Sequence, residues 1–94
     1  MQDADQDHNH RLALVTGATG AIGKAIALEI ALQPEYRVVL LCRDRHRAGK
    51  VVSEVAKLSA NERVSHEIVD LSSKDSIQAL ARRLKEPVHV LVNT

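Results

Sequence analysis

Short apolar runs typical of strands alternate along this chain with segments whose apolar residues have helical spacing. This alternation limits the folds that the chain can adopt. Residues 12–15 and 38–41 are continuous apolar runs, and residues 88–92 are apolar except for His89. Short runs rich in Val and Leu are typical of strands buried on both faces of a sheet. Helically spaced segments separate these runs. We therefore predict a β-α-β-α-β-α-β order, which favours a parallel sheet with right-handed crossovers. The predicted strands lie near 12–16, 37–42, 64–69 and 88–93.

The segments between the strands carry apolar residues at helical spacing. Ile22, Ile26 and Ile30 recur every four residues before Pro34, which stops that segment. The next two segments follow the i, i+3, i+4, i+7 pattern of an amphipathic helix, and Asn61 is the expected end of the first of them. Their apolar positions are Ala48, Val51, Val52, Val55 and Leu58, then Ile77, Leu80, Ala81 and Leu84.

The run at 64–69 is the most polar of the four, because Ser65, His66 and Glu67 interrupt it. We expect it at an edge of the sheet and predict the strand order 3-2-1-4. The apolar fourth strand then has nothing after it in these 94 residues to pair with its outer side. An exposed apolar edge favours self-association, so we expect contacts between copies of the chain through this strand.

Composition restricts the class of protein further. The 94 residues suit one small domain, and Tyr36 is the only aromatic residue, so the core must be aliphatic. Thirteen basic residues against twelve acidic ones leave a net charge of +1, which argues against nucleic-acid or membrane binding through bulk charge. Cys42 is the single cysteine and fits a reducing compartment, and no run reaches the roughly 18 apolar residues of a membrane helix. We expect a cytoplasmic domain over 12–94, after a flexible polar tail over 1–11 that is not a signal peptide.

The most informative segment lies between the first strand and the first helix and reads Thr-Gly-Ala-Thr-Gly-Ala-Ile-Gly, residues 16–23. Gly17 supplies backbone freedom at a tight turn, Gly20 leaves room for a diphosphate, and Gly23 lets the helix pack close to the strand. Amides at the helix N-terminus would face the anion. The alternative is a glycine-rich connection without a ligand. The strand and helix that flank the turn favour nucleotide binding.

The chain resembles the short-chain dehydrogenase/reductase family over residues 12–94. Its glycine spacing, Gly-x-x-Gly-x-x-Gly, is that of the family's extended branch, since Gly20 stands one place before the commonest position, which holds Ala21. The other shared segments are more similar to the ordinary branch, in particular to carbonyl, retinal and protochlorophyllide reductases. The four segments that carry the resemblance are 16–23, Cys42-Arg43-Asp44, Val69-Asp70-Leu71 and Leu91-Val92-Asn93.

The resemblance implies a Rossmann-type α/β fold, of which this chain would be the first half of the doubly wound sheet. It also implies hydride transfer between a nicotinamide and a carbonyl or alcohol. The family's acid/base tyrosine lies in Tyr-x-x-x-Lys, but four residues after Tyr36 stands Leu40. We therefore expect no catalytic residue in this chain, no metal site, and at most cofactor binding. A small-molecule substrate would be bound only by a full-length protein.

The same resemblance implies which cofactor is bound. Cys42 takes the place of the acid that selects NAD, and Arg43 follows where NADP enzymes often carry a basic residue. Arginine attracts the 2′-phosphate of NADP, whereas a carboxylate accepts hydrogen bonds from the ribose 2′-hydroxyl of NAD. Asp44 keeps NAD open as an alternative; a solvated basic turn in which Asp44 only caps the second helix is another. We expect NADP in preference to NAD, because a phosphate would relieve the positive charge at that helix N-terminus.

Three further positions follow from the resemblance. Asp70 and Leu71 resemble the pair that contacts adenine, although Asp70 has the alternative role of capping the helix that starts near Ser72. Asn93 resembles the first asparagine of the family's Asn-Asn-Ala-Gly turn, which lies beside the cofactor and steadies the sheet, and Thr94 replaces the second. The predicted cofactor-binding set is Gly17, Thr19, Gly20, Ala21, Ile22, Gly23, Arg43, Asp44, Asp70, Leu71 and Asn93.

Three functions remain open on the sequence. The first is the N-terminal, NADP(H)-binding portion of a short-chain oxidoreductase, with a relative of the extended-branch epimerases and reductases as a variant of it. The second is a non-catalytic NAD(P)-binding or sensing module. The third is a structural protein that binds no nucleotide.

Overall fold

The computed structural model describes residues 10–94, in which four strands and three helices alternate. Residues 1–9 of the predicted tail lie outside the described residues. The predicted strand positions are confirmed to within a residue at each end. In chain order the elements are β1 (Arg11–Thr16), α1 (Ala21–Ala31), β2 (Tyr36–Cys42), α2 (Arg45–Ser59), β3 (Val64–Ile68), α3 (Lys74–Arg83) and β4 (Val88–Asn93).

The four strands form one parallel sheet in the order β3-β2-β1-β4, which confirms the predicted fold class and strand order. The polar strand β3 lies at one edge, as expected, and β4 lies at the other. Thr16 pairs with Leu41 and Asn93, and Cys42 pairs with Ile68. Because all four strands run in the same direction, the segments that follow them all leave the sheet at the carboxyl ends of the strands. In open α/β sheets, ligands bind at the carboxyl ends of the strands.

The core is aliphatic and lies on both faces of the sheet. On one face α1 and α2 pack against β1 and β2, around Val15, Leu40 and Val55. On the other face α3 contributes Leu80 to a smaller cluster that includes Leu12 and Val39. With one aromatic residue in the sequence, close packing depends on these branched aliphatic side chains.

The face of α1 that packs against the sheet is not the one that its isoleucines mark. Ile22 is 73% exposed, whereas the buried residues are Gly23, Ala27 and Ala31. A Cβ atom at Gly23 would lie 2.2 Å from the carbonyl oxygen of Gly17, so the helix approaches the turn too closely for a side chain there. Small residues allow that approach, so Ile22 stays exposed, whereas Ile30 packs against the core while only partly buried.

Helix α2 ends one residue earlier than expected. Ala60 caps it in the left-handed conformation with φ of 57°, and the predicted terminator Asn61 follows. Asn61 is buried, and its Nδ2 donates to the carbonyl oxygens of Ala31 at 2.9 Å and Tyr36 at 3.0 Å. This side chain therefore ties the end of α1 to the start of β2 and to the connection after α2.

A bulge interrupts the pairing of β1 with β4. Leu12 pairs with Val88 and Ala13 with Val90, which leaves His89 as the extra residue. The amide of Leu12, a fully buried residue, donates to Nδ1 of His89 at 3.2 Å. The imidazole thus supplies the acceptor that the backbone ladder lacks at this point.

Candidate functional site

The glycine turn between β1 and α1 is held in one shape by its own backbone. Gly17 has φ of +66°, a conformation that L side chains rarely adopt. The amide of Gly20 donates to the carbonyl oxygen of Gly17 at 3.1 Å and closes the turn. Gly23 packs too close to the Gly17 carbonyl oxygen to carry a side chain. The fold alone therefore requires glycine at positions 17 and 23.

The third glycine has no such explanation. A Cβ atom at Gly20 would meet only the carbonyl oxygen of Gly17, at 3.5 Å, which is an ordinary contact. Gly20 is also the N-cap of α1, with φ of −84° and ψ of 165°, and no side chain caps this helix. By contrast, Asp44 caps α2 and Ser73 caps α3. The amides that begin α1 are therefore available to an anion that approaches Gly20.

Side chains at the ends of β1 and β4 hold the start of the turn. The hydroxyl of Thr16 donates to Oδ1 of Asn93 at 2.8 Å and accepts from the amide of Thr94 at 3.1 Å. The hydroxyl of Thr94 in turn donates to the carbonyl oxygen of Thr16 at 2.7 Å. Asn93 therefore links the two strands at the edge where the turn begins.

An open cleft of about 860 Å³ lies at the carboxyl ends of β1, β2 and β3. It brings together six of the predicted residues, Gly17, Thr19, Arg43, Asp44, Asp70 and Leu71. Four others, Gly20, Ala21, Ile22 and Gly23, line a separate and mainly apolar hollow on the other side of the turn, with Thr94. Gly17 borders both, and Asn93 borders neither.

The cleft also contains residues outside the predicted set. Arg45 and Arg47, from the first turn of α2, line it beside Arg43. Their position directly after Arg43 in the sequence is the signal that could have identified them. The remaining lining residues are Ala18, Leu41, Cys42, Val69 and Ser72, of which the strand residues are recognisable only once the strand order is known.

Asp44 is engaged at the start of α2. Its Oδ1 accepts hydrogen bonds from the amides of His46 at 2.9 Å and Arg47 at 3.2 Å. The hydrogen bond from the Arg47 amide, with smaller contributions from His46 and from the positive charges nearby, holds the pKa of Asp44 below its ordinary value. Asp44 is thus a charged N-cap, which is the role expected of it as the alternative to binding ribose.

Asp70 shapes the turn between β3 and α3. Its Oδ1 accepts from the amide of Ser72 at 3.0 Å and from the Ser72 hydroxyl at 2.6 Å. The hydroxyl of Ser72 lowers the pKa of Asp70, with help from the Ser72 amide and the nearby charge of Arg43. The N-cap of α3 is Ser73, and Asp70 holds the residue directly before it, so Asp70 supports the start of α3 without being its N-cap.

Cys42 and Tyr36 differ in their position relative to the cleft. Cys42 is a buried free thiol, and burial raises its pKa, which disfavours the nucleophilic thiolate. Tyr36 begins β2, at the end of the strands opposite the cleft.

Within residues 10–94, no three side chains of His, Cys, Asp or Glu lie close enough together to bind a metal ion. In the same range no helix is both long and apolar enough to cross a membrane.

Comparison with known proteins gives a consistent result. The family model for the short chain dehydrogenase matches residues 11–94. Human dehydrogenase/reductase SDR family member 12 is 40% identical over 85 residues, and human retinol dehydrogenase 11 is 37% identical over 86, each match covering 88% of this chain. A crystal structure of a variant of actinorhodin polyketide ketoreductase with NADPH superposes with a TM-score of 0.80 at 31% identity, covering 93% of this chain and 33% of the ketoreductase. The chain spans about a quarter of the length of the curated relatives, 26% and 27% for the two human proteins.

Proposed function

The chain belongs to the short chain dehydrogenase family of oxidoreductases, and from that premise we propose that residues 12–94 are the dinucleotide-binding portion of an NADP(H)-dependent member. The cofactor's diphosphate would lie on the turn over residues 16–23, and its adenosine in the cleft bordered by Arg43, Asp70 and Leu71. The family match and strand β1 both begin at Arg11, one residue before the predicted boundary of the domain.

The observation that carries this proposal is the surface at Gly20. Within residues 10–94 nothing excludes a side chain there, yet the position is glycine and no side chain within that range caps the helix that follows it. A glycine at this position leaves the amides at the start of α1 open to a diphosphate. The residues present therefore fit the dinucleotide, which supplies the hydride chemistry when it is bound.

The proposed preference for NADP rests on the end of β2. The residue that ends the strand, Cys42, is a neutral thiol at physiological pH and neither attracts nor repels phosphate. Arg43 follows it, lines the cleft, and has no hydrogen bond or ion pair within residues 10–94 beyond its electrostatic effect on Asp70. Its guanidinium is therefore available to a 2′-phosphate. The ketoreductase that superposes on this chain was solved with NADPH, which supports the same choice.

Titration of the wild-type chain and of Arg43→Ala with NADPH and with NADH tests this preference. We expect the wild type to bind NADPH more tightly, and Arg43→Ala to lose affinity mainly for NADPH. Tighter binding of NADH by the wild type would overturn the choice of NADP and leave dinucleotide binding itself intact.

The hydride-transfer activity of a full-length protein, on a carbonyl or alcohol, is proposed from the family alone. Residues 1–94 contain no Tyr-x-x-x-Lys, and Tyr36 lies away from the cleft. We expect the 94-residue chain to show no NADPH-dependent carbonyl reduction, and measurable turnover by the purified chain would contradict this. We also propose a reducing compartment, the cytoplasm, because Cys42 is a free thiol.

Self-association through β4 is proposed from the contrast between the two edges of the sheet. On β3, Glu67 accepts from Arg83 at 3.0 Å, so charged side chains border that edge. On β4, Val88 is 44% exposed and Leu91 is 64% exposed. Apolar edges pair more readily than charged ones. Leu91→Lys should shift the chain towards monomer in light scattering coupled to gel filtration, and a wild type that is monomeric at all concentrations would refute the proposal.

A further inference from the structure

The outer side of β3 carries backbone groups that no strand of residues 10–94 pairs, because β3 lies at an edge of the sheet. The carbonyl oxygen of Arg63 accepts from β2 at 2.9 Å, and the amide of Val69 donates to β2 at 2.8 Å. Residues along a strand direct these groups alternately to one side and the other. The N–H and C=O groups of Val64, His66 and Ile68 therefore point away from β2, where an added strand could bond to them.

A groove runs along this edge of the sheet, and both flanking helices border it. We call it the β3 groove; its volume is about 570 Å³. Ile68 packs towards the cluster that α2 covers, whereas Glu67 accepts from Arg83 just after the middle of α3, so the two helices flank opposite faces of the edge. Alternate side chains of an added strand would therefore meet α2 and α3 in turn. The lining residues are Arg45, Gly49, His66, Glu67, Ile68 and Arg83.

Gly49 is the residue of the β3 groove that the fold does not explain. It lies inside α2, and a Cβ atom there would meet no described atom within 4 Å. Glycine within a helix costs about 0.5–1 kcal/mol relative to alanine. Its effect on the surface is to leave the side of α2 bare beside the edge of β3. That bare surface is the space that the side chains of an added strand would occupy.

The charge of the β3 groove favours an acidic occupant. Glu67 is its acidic lining residue, and Arg83 balances it, with Nη2 at 2.9 Å and Nε at 3.0 Å from Oε1. Arg45, on the α2 side, has no hydrogen bond or ion pair within residues 10–94. The one acidic residue of α2 is Glu54, which already pairs with Lys24 of α1 at 3.1 Å. The groove therefore attracts carboxylates and repels basic segments.

From these observations we infer that the β3 groove binds an extended acidic segment of a partner protein, which adds to the sheet as a fifth strand. Backbone hydrogen bonds to His66 and its outward-facing neighbours supply affinity, and carboxylates at alternate positions meet Arg45. The charges that disfavour pairing of two copies through β3 admit a strand of opposite charge. This inference goes beyond the proposed cofactor binding and does not rest on it.

A short peptide of alternating threonine and glutamate is the probe, and the same peptide with lysine for glutamate is its control. Binding is followed through the backbone amide NMR signals of the full chain. The glutamate peptide should shift the amides of His66 and Ile68 and slow their exchange with solvent. The lysine peptide should bind about tenfold more weakly or less. Saturating NADPH should leave the affinity for the glutamate peptide unchanged, because the cleft lies at another part of the sheet.

Two pairs of variants test the residues of the β3 groove. Gly49→Gln places a side chain in the groove, and Ser53→Gln is its control, since Ser53 lines only the outer groove of α2. Arg45→Gln removes a positive charge from the β3 groove, and Lys57→Gln removes one from the outer groove. The first member of each pair should weaken peptide binding by about tenfold, and the control by no more than about twofold. Thermal unfolding checks that each variant is folded, and Gly49→Gln should keep its NADPH affinity.

Several outcomes would overturn the inference. They are failure of the glutamate peptide to bind the folded chain, equal binding of the two peptides, and unchanged peptide affinity in Gly49→Gln. Displacement of the peptide by NADPH would place it in the cleft and would also overturn the assignment. Vesicles that contain phosphatidylserine are tested in parallel, and binding to them that Gly49→Gln abolishes would make the groove a membrane site instead. Failure of the wild type to bind either cofactor would refute only the proposed function.

Discussion

Substitution of Gly20 by alanine should separate ligand binding from folding. The added Cβ would lie 3.5 Å from its nearest neighbour, the carbonyl oxygen of Gly17, and the backbone angles of −84° and 165° suit any residue. Alanine is a poorer N-cap than glycine by about 0.5–1 kcal/mol. Alanine also makes the unfolded chain less flexible than glycine does, which stabilises the folded state by about 0.4–1 kcal/mol and offsets the poorer cap. We therefore expect the free energy of unfolding to change by no more than about 0.5 kcal/mol.

The effect of Gly20→Ala on binding should be much larger. A methyl group on this surface keeps an anion away from the amides that begin α1, whose N-cap side chain is absent. Loss of one charge-assisted hydrogen bond costs about 1.5–3 kcal/mol, which corresponds to roughly 10- to 150-fold weaker binding. Urea unfolding and NADPH titration of the same preparation measure the two quantities.

Two companion variants control this experiment. Gly49→Ala places a Cβ in open space within α2 and should raise stability by about 0.5–1 kcal/mol without changing NADPH affinity. Gly23→Ala would put a Cβ 2.2 Å from the Gly17 carbonyl oxygen and should destabilise the fold by about 1–3 kcal/mol or more. Unchanged NADPH affinity in a folded Gly20→Ala variant would refute the assignment of the α1 N-terminus as the diphosphate site.

Three further changes test backbone conformation, hydrogen bonding and electrostatics elsewhere in the fold. Ala60→Gly should raise the free energy of unfolding by about 1 kcal/mol in urea titrations, because Ala60 has φ of 57°; a loss of stability would contradict this. His89→Phe should lower it by about 1–3 kcal/mol, since the buried Leu12 amide loses its acceptor, and His89→Gln should recover part of the loss. The pKa of Asp44 is lowered from 3.8 by the amides of Arg47 and His46, so its capping stabilises the fold fully above pH 3.8 and less as the pH falls through the folded-state pKa. The stability deficit of Asp44→Ala should therefore be constant near neutral pH and shrink in acid, and a deficit that grew in acid would be contrary to this.

The sheet was predictable from sequence because its signals are local. Each apolar run matches a strand to within a residue, and the polar residues of β3 correctly indicated an edge. The buried face of α1 was not predictable in this way. The hydrophobic pattern predicts that the face with Ile22, Ile26 and Ile30 is buried. The buried residues are instead the small ones, because the helix packs close to the turn; they are Gly23, Ala27 and Ala31.

The cleft was predictable only in part, because its lining depends on which strand ends become neighbours. The glycine turn was recognisable from its motif and spacing, whereas Arg43 and Asp70 were recognisable only from the resemblance to the family. The sequence shows that Arg47 follows Arg43 closely, but whether its side chain lines the cleft depends on where α2 begins. The role of His89 depends on a bulge in the β1–β4 register, which hydrophobic periodicity does not encode.

A titration of the folded chain with NADPH, followed through its backbone amide NMR signals, tests the central claim most directly. Binding of the diphosphate to the turn predicts large, saturable shifts for the amides of Ala21, Ile22 and Gly23, with further shifts at Arg43. A well-dispersed spectrum in which these amides do not move at saturating NADPH or NADH would contradict the account.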